Sequence, residues 1–321
     1  MNRFQRSWLL CKSSLAVMRR DTRLLLFPLI TTVCTMLIAI VFLMPVAFQR
    51  TGYSYASAQH WAAVGNSIYA PGNGQTTSAE SDSLPAYQHH RPAQTGGLKP
   101  LAVGYFVAIY FVSMFTATFF NVAFYKEILN ALAGEPVSIL GGIQFACSKW
   151  KTILMWTLFA GLVGYLIKTL EQRFGLIGQL MMRLVGAAWS IACVFVVPVI
   201  ITEEPTWNPL AVLKKSASTL TQTWGESLIG YVGVSFGSFL VLLLSLCWLG
   251  AGIAFATTLH LYWLIAVVVV AWLMGLFVWG YMLSVASQIF RCALFLYAAQ
   301  GTLPEPYTEE MMALAWKARK S

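Results

Sequence analysis

Long apolar runs alternate with short polar connections along this chain, and six of the runs are candidates to cross a bilayer. A spanning helix needs about 20 predominantly apolar residues, at a rise of about 1.5 Å each. Residues 24–48, 101–125, 152–167, 184–201, 227–249 and 261–290 fit that pattern, the third being the shortest, and none of them contains Asp, Glu, Lys or Arg. Runs this long are not the short alternating strands of a barrel, and an open sheet edge cannot sit in lipid. The expected fold class is all-α: a polytopic transmembrane helical bundle of about six spans, with residues 1–321 forming a single membrane domain.

The segments before the first, third and fifth spans carry a different pattern. Phe4, Trp8, Cys11, Leu15 and Met18 recur at helical spacing, with Arg3, Arg6, Lys12, Arg19 and Arg20 around them. Ile139, Ile143, Ala146 and Trp150 repeat the stripe beside Lys149 and Lys151, and Leu213, Ala217, Leu220 and Trp224 repeat it beside Lys214 and Lys215. Such stripes predict three amphipathic helices lying in the membrane interface, the first within residues 1–23. Docking of the three on the bundle itself is the alternative. After each even-numbered span comes a Glu-Pro pair: Glu135-Pro136, Glu204-Pro205 and Glu305-Pro306. Proline disfavours helix in the residue before it, so each pair reads as an elbow that redirects the chain. The unit of interfacial helix, apolar hairpin and Glu-Pro elbow therefore occurs three times, as a threefold internal repeat of helical hairpins.

One connection is long. Residues 49–100 are rich in Gly, Ser, Thr, Gln and Ala and predict a flexible external loop within the first hairpin. Its histidines, His60, His89 and His90, are expected to be solvated. Residues 302–321 form a C-terminal tail. The first apolar run is longer than the 7–15 residues typical of a signal-peptide core, so an uncleaved first span is expected.

Composition turns a length that suggests two soluble domains into a membrane assignment: 58% of the residues are hydrophobic and 10% charged, against about 25% charged in ordinary globular domains. The net charge is +9, and 15 of the 21 Lys and Arg residues fall on one side if the N-terminus is cytoplasmic. By the positive-inside rule both termini are then cytoplasmic, and the basic excess faces anionic lipid headgroups. No soluble basic domain is present to hold nucleic acid.

Motifs for nucleotide binding, zinc or calcium are missing from the sequence. No metal, cofactor or catalytic residue is assigned, and the six cysteines read as small apolar packers without disulfides. The best cluster of ionisable residues is Glu203, Glu204, Lys214, Lys215 and Glu226, at the inner ends of the fourth and fifth spans. Carboxylates there suit either cation or proton handling or an ion-pair network that anchors the third amphipathic helix. The second reading is favoured because none of these groups lies at membrane depth. Asn121, Ser190, Ser284, Ser287 and Gln288 either line a polar path or bond between helices. Gly230, Gly233 and Gly237 place small residues on one face of the fifth span and predict close helix packing.

The opening Phe4…Arg6-Ser7-Trp8…Lys12-Ser13-Ser14…Asp21…Leu24-Leu25-Leu26-Phe27-Pro28 resembles the start of a bacterial family of polytopic membrane proteins of unknown function. The stretch Pro198-Val199-Ile200-Ile201-Thr202-Glu203-Glu204-Pro205, followed by Leu213-Lys214-Lys215-Ser216 and Thr223-Trp224-Gly225-Glu226, is similar to the same family. The resemblance covers nearly the whole chain except residues 49–100, and it implies a six-helix bacterial membrane protein without a known activity. The expected function is non-enzymatic: organisation of lipids or partner proteins at the cytoplasmic face of a bacterial inner membrane. Membrane lipids with anionic headgroups are the expected partners, with a homo-oligomer or a membrane-protein partner as the further candidate. A transporter or channel for a small solute, and a lipid-modifying enzyme, are the alternatives.

Overall fold

The computed structural model describes residues 3–69, 98–204, 207–221 and 228–308, with backbone alone for residues 3–11, 176–177 and 228–241. Among the described residues the chain is helical, and the sole β-type pairing is an isolated bridge between Tyr69 and Leu98. The helices are α1 (Arg3–Arg20), α2 (Leu26–Ala47), α3 (Ala58–Ile68), α4 (Pro100–Leu132), α5 (Ile139–Ser148), α6 (Trp150–Arg173), α7 (Leu176–Ala192), α8 (Val196–Thr202), α9 (Pro209–Thr221), α10 (Leu228–Thr258) and α11 (Tyr262–Gln300). Five segments of the described residues are long and apolar enough to cross a membrane: Thr22–Ala47, Pro100–Leu132, Trp150–Arg173, Gly178–Thr202 and Tyr262–Gln300. The described residues are thus all-helical, with five candidate spans among them. Helix α10 runs unbroken for 31 residues, and its part Leu242–Thr258 is apolar.

The chain divides into two compact units. The first comprises Met1–Thr31 and Ala117–Ser321. Helix α4 has 33 residues and α11 has 39. At about 1.5 Å per residue both exceed the roughly 30 Å of a hydrocarbon layer. Their buried side chains crowd at one end: Val122 to Leu132 in α4 and Val285 to Phe295 in α11. Phe27 stacks on Phe124 at 5.4 Å, and Phe195 meets Phe295 at 5.6 Å. The protein core therefore sits at the end of the bundle where the Glu-Pro elbows lie, while much of the apolar surface further along the spans is exposed.

The amphipathic segments dock on that core. Helix α9 packs against α6, α7, α8 and α11, and α1 packs against α10 and α11. Helix α5 lies on the end of α4, where a Cβ on Gly142 would meet the Ala123 carbonyl at 2.8 Å and Glu127 Cγ at 2.9 Å. The side chains of Phe4, Trp8, Cys11 and Trp224 lie outside the described residues. The faces turned inward share Met18, Ala146 and Leu220 with the apolar stripes of the sequence and differ at other positions. In α9 they are Val212, Ser216, Thr219 and Leu220, and in α1 Ser13, Ser14, Val17 and Met18. The physical reason is that these faces meet backbone as well as side chains, so hydroxyls find partners there. Ser14, for example, shares a 2.8 Å hydrogen bond with the buried Tyr307 hydroxyl.

The first and third elbows are built on glycine. Gly134 has φ +81° and Gly301 has φ +66°, the left-handed region that ends a helix at low cost. After α4 the Glu135 N–H donates to the Asn130 carbonyl and the Gly134 N–H to that of Ala131, which is the Schellman pattern. Glycine thus stops the helix, and Pro136 and Pro306 follow it; Pro205 of the second elbow lies outside the described residues.

The second unit, Thr32–Thr116, holds most of α2, α3 and the start of α4. Part of the predicted external loop is ordered here. Helix α3 is capped by Ser57, and His60 is fully buried instead of solvated. The His60 ring bonds Thr51 Oγ1 through Nδ1 and the Ala47 carbonyl through Nε2 at 2.9 Å, and it packs edge-on against Tyr55 and Trp61. His89 and His90 lie outside the described residues.

Candidate functional site: the elbow end of the bundle

The fourth apolar segment is broken before its end. Helix α7 stops at Ala192 and α8 starts at Val196. Pro198 has no N–H to give to the Val194 carbonyl, and it sits in the first turn of α8, where that donor would have no partner within the helix. The break frees backbone groups, and Ser216 of α9 answers two of them. Its hydroxyl donates to the Ala192 carbonyl at 2.6 Å and accepts from the Phe195 N–H at 3.1 Å. Ser216 is fully buried.

Lys214 and Lys215 precede it on the solvent side of α9. Lys215 Nζ lies 3.2 Å from Glu203 Oε1. Both side chains are about half exposed, so the pair is worth only about 0–1 kcal/mol. Lys149, at the junction of α5 and α6, donates to the Glu203 backbone carbonyl at 2.7 Å. Partial burial lowers the Lys149 pKa below its ordinary value, while the nearby Glu204 carboxylate pulls it back up. A cavity of about 230 Å³ opens beside the pair, lined by Thr202, Glu203, Lys215, Ser218, Thr219, Phe295, Ala299 and Gln300. The structure therefore brings together Glu203, Glu204 and Lys215 with Lys149; Lys214 is exposed on the same helix, and Glu226 lies outside the described residues.

A further carboxylate at this end, besides Glu203 and Glu204, is not among the residues that the sequence singles out. Glu127 of α4 is buried, and its Oε2 accepts the Ser138 N–H at 2.7 Å while its Oε1 accepts from Asn130 Nδ2 at 3.2 Å. It does for α5 what a capping-box glutamate does for its own helix, but from a neighbouring helix. The clue in the sequence was its spacing before Ser138, an N-cap residue, yet a Lys126-Glu127 pair at a helix end reads as solvated. Arg20 donates to the Ala131 carbonyl and Arg23 Nη1 to that of Val137 at 3.1 Å, which fastens the segment after α1 to the first elbow. Tyr281 donates to the Leu25 carbonyl and ties α11 to the same segment.

Polar side chains within the spans mostly turn back on their own helices. Ser190 donates to the Gly186 carbonyl at 2.9 Å and Ser287 to that of Ser284 at 2.8 Å. The packing of Gly230, Gly233 and Gly237 falls among residues described by backbone alone; a tight approach in that hairpin occurs at Gly252, where a Cβ would meet Val268 Cγ1 at 2.8 Å.

No curated protein and no solved structure matches this chain. One family does, over residues 101–304, from the start of α4 past the end of α11, a stretch that contains the broken segment and the first two elbows and ends just before the third. With well over half of its length matched, the chain belongs to DUF6159, a family of unknown function.

Proposed function

We propose that this protein is a six-span protein of a bacterial cytoplasmic membrane, with both termini and the elbow end inside, that organises lipids or partner proteins there without catalysing a reaction. The observation that carries the reading is how the ionisable groups are spent. Glu203, Lys215, Lys149 and Glu127 hold backbone carbonyls, amides and each other at helix ends, and so fix α5 and α9 on the bundle. Function that depends on membrane depth would need such groups further along the spans. Three features support a threefold repeat: α5 rests on α4, α9 rests on α8, and α1 rests on α10 and α11, so each amphipathic helix covers a hairpin end. Anionic lipid headgroups at the inner face are the first class of partner, and a second copy or another membrane protein is the next.

The break at Cys193-Val194-Phe195 is the one feature that favours transport, because transporters often bind solutes at discontinuous helices. Here Ser216 occupies freed backbone groups on both sides of the break, which leaves the non-transport reading ahead. Reconstitution in vesicles tests the reading. Lipid composition and solute leakage should match those of empty vesicles. A lipid product or a solute flux that Glu203→Gln or Glu204→Gln abolishes would replace it with an enzyme or a transporter.

A further inference from the structure

Three lysines meet an aromatic framework at the seam between the first and second repeats. Lys126 Nζ of α4 sits 5.6 Å from the Phe145 ring centroid, and Lys149 Nζ sits 5.9 Å from the same ring. Lys151 Nζ, at the start of α6, lies 5.9 Å from the Trp150 ring and 5.1 Å from that of Trp207. Cation–π contact favours holding an ammonium in place, but it does not neutralise the charge. Among the described residues none of the three lysines forms an ion pair. Lys126 donates to Asn130 Oδ1 at 2.8 Å and Lys149 to the Glu203 carbonyl, both neutral acceptors. Two carboxylates close by are engaged elsewhere, Glu127 buried on Ser138 and Asn130 and Glu203 facing Lys215, while Glu204 acts on Lys149 through its charge without a direct ion pair. An ammonium has three donors, and the bonds to Asn130 and Glu203 use one each on Lys126 and Lys149.

The rim of this lysine face is apolar and exposed. Trp207 is 60% exposed and Trp150 48%, and α5 and α9 each expose a leucine near their starts, Leu140 at 66% and Leu210 at 59%. Cations beside exposed tryptophan and leucine match the level of a bilayer where acyl chains give way to headgroups. An acidic soluble protein would meet the charges but would have no use for so large an apolar rim.

We infer that Lys126, Lys149 and Lys151, framed by Phe145, Trp150 and Trp207, form a binding site for the phosphate of an anionic phospholipid whose acyl chains lie along the exposed rim. The inference rests on the proposed placement of this end at the inner face, and it concerns lysines other than those of the Glu203 cluster. The test uses the full chain in nanodiscs of equal phosphatidylglycerol and phosphatidylcholine, with the lipids that remain on the protein read by native mass spectrometry. The parent chain should retain phosphatidylglycerol over phosphatidylcholine, and a lysine near an anionic surface contributes about fivefold to such a preference. Lys126→Gln/Lys149→Gln/Lys151→Gln should lose about tenfold or more of it, while Lys214→Gln on exposed α9 should keep it. Lys151→Gln alone should lose about fivefold, and it serves as the readout where the triple variant does not fold. If the parent prefers phosphatidylglycerol and the triple and Lys151 variants match it, this site is wrong and the lipid-organising reading stands. If the parent shows no preference, both fall. Retention of an acidic protein at these lysines in place of lipid also overturns the site.

Discussion

Ser216 is a polar residue whose position in the sequence says solvent and whose position in the protein says interior. It follows Lys214-Lys215 in a helix whose apolar stripe was expected to run through Leu213 and Ala217. The structure turns it onto the α7–α8 break because unsatisfied backbone groups attract a hydroxyl more strongly than an apolar stripe specifies rotation. Removing the hydroxyl leaves a buried donor and a buried acceptor without their partner, at about 1–3 kcal/mol. Ser216→Ala should therefore lower unfolding stability in detergent or nanodiscs by about that amount. Ser218→Ala should cost less than about 0.5 kcal/mol, since its hydroxyl only returns to the Lys215 carbonyl at a partly exposed position. Equal losses would mean that the break is held some other way. Glu127 and His60 teach the same lesson. Each is buried by partners that come from another segment, Ser138 for Glu127 and Thr51 and Ala47 for His60, so the residue's own neighbours in sequence do not announce its burial.

At the scale of elements, the long apolar runs were legible, because a span declares itself through residue spacing, whereas the faces that α1 and α9 turn inward were not. The break in the fourth segment was only half legible. Pro198 was visible, but the three-residue gap depends on a hydroxyl from a helix that follows it. The seating of α5 was not legible, because it depends on the missing side chain of one glycine. Gly142→Ala would press a methyl group into the Ala123 carbonyl and Glu127 and should cost about 1–3 kcal/mol. Gly104→Ala in α4 meets nothing within 4 Å and should be neutral or slightly stabilising, by about 0.5 kcal/mol. Thermal unfolding of the two variants checks the contrast, and matched behaviour would contradict the seating. The insertion makes a second element-scale case. Tyr69 and Leu98 already pair across it, and a loop changes stability by only about 0.6 kcal/mol per doubling of length. Replacing residues 70–97 with a short Gly/Ser linker should leave folding nearly unchanged. His60→Ala should cost about 1–3 kcal/mol, because it strips the Ala47 carbonyl and Thr51 of a buried partner. A neutral His60→Ala, or a linker variant that fails to fold, would assign the stability of this segment to residues 70–97 instead.

At the scale of the whole molecule, the long apolar helices, the core concentrated at the elbow end and the membership of DUF6159 describe a membrane protein whose organised surface is that end. The proposed orientation follows from the charge distribution: Lys126, Lys149, Lys151, Lys214 and Lys215 all belong to the elbow end, and the positive-inside rule would put such an end in the cytoplasm. The proposed function and the lipid site both depend on that placement. Cysteine accessibility to a membrane-impermeant maleimide reads it directly, with Lys214→Cys on exposed α9 and Ala56→Cys in the exposed turn before α3, each scored against the parent chain. In intact spheroplasts the cysteine at position 56 should label at once and that at position 214 only after permeabilisation. Labelling of position 214 from outside, with position 56 protected, would contradict the account.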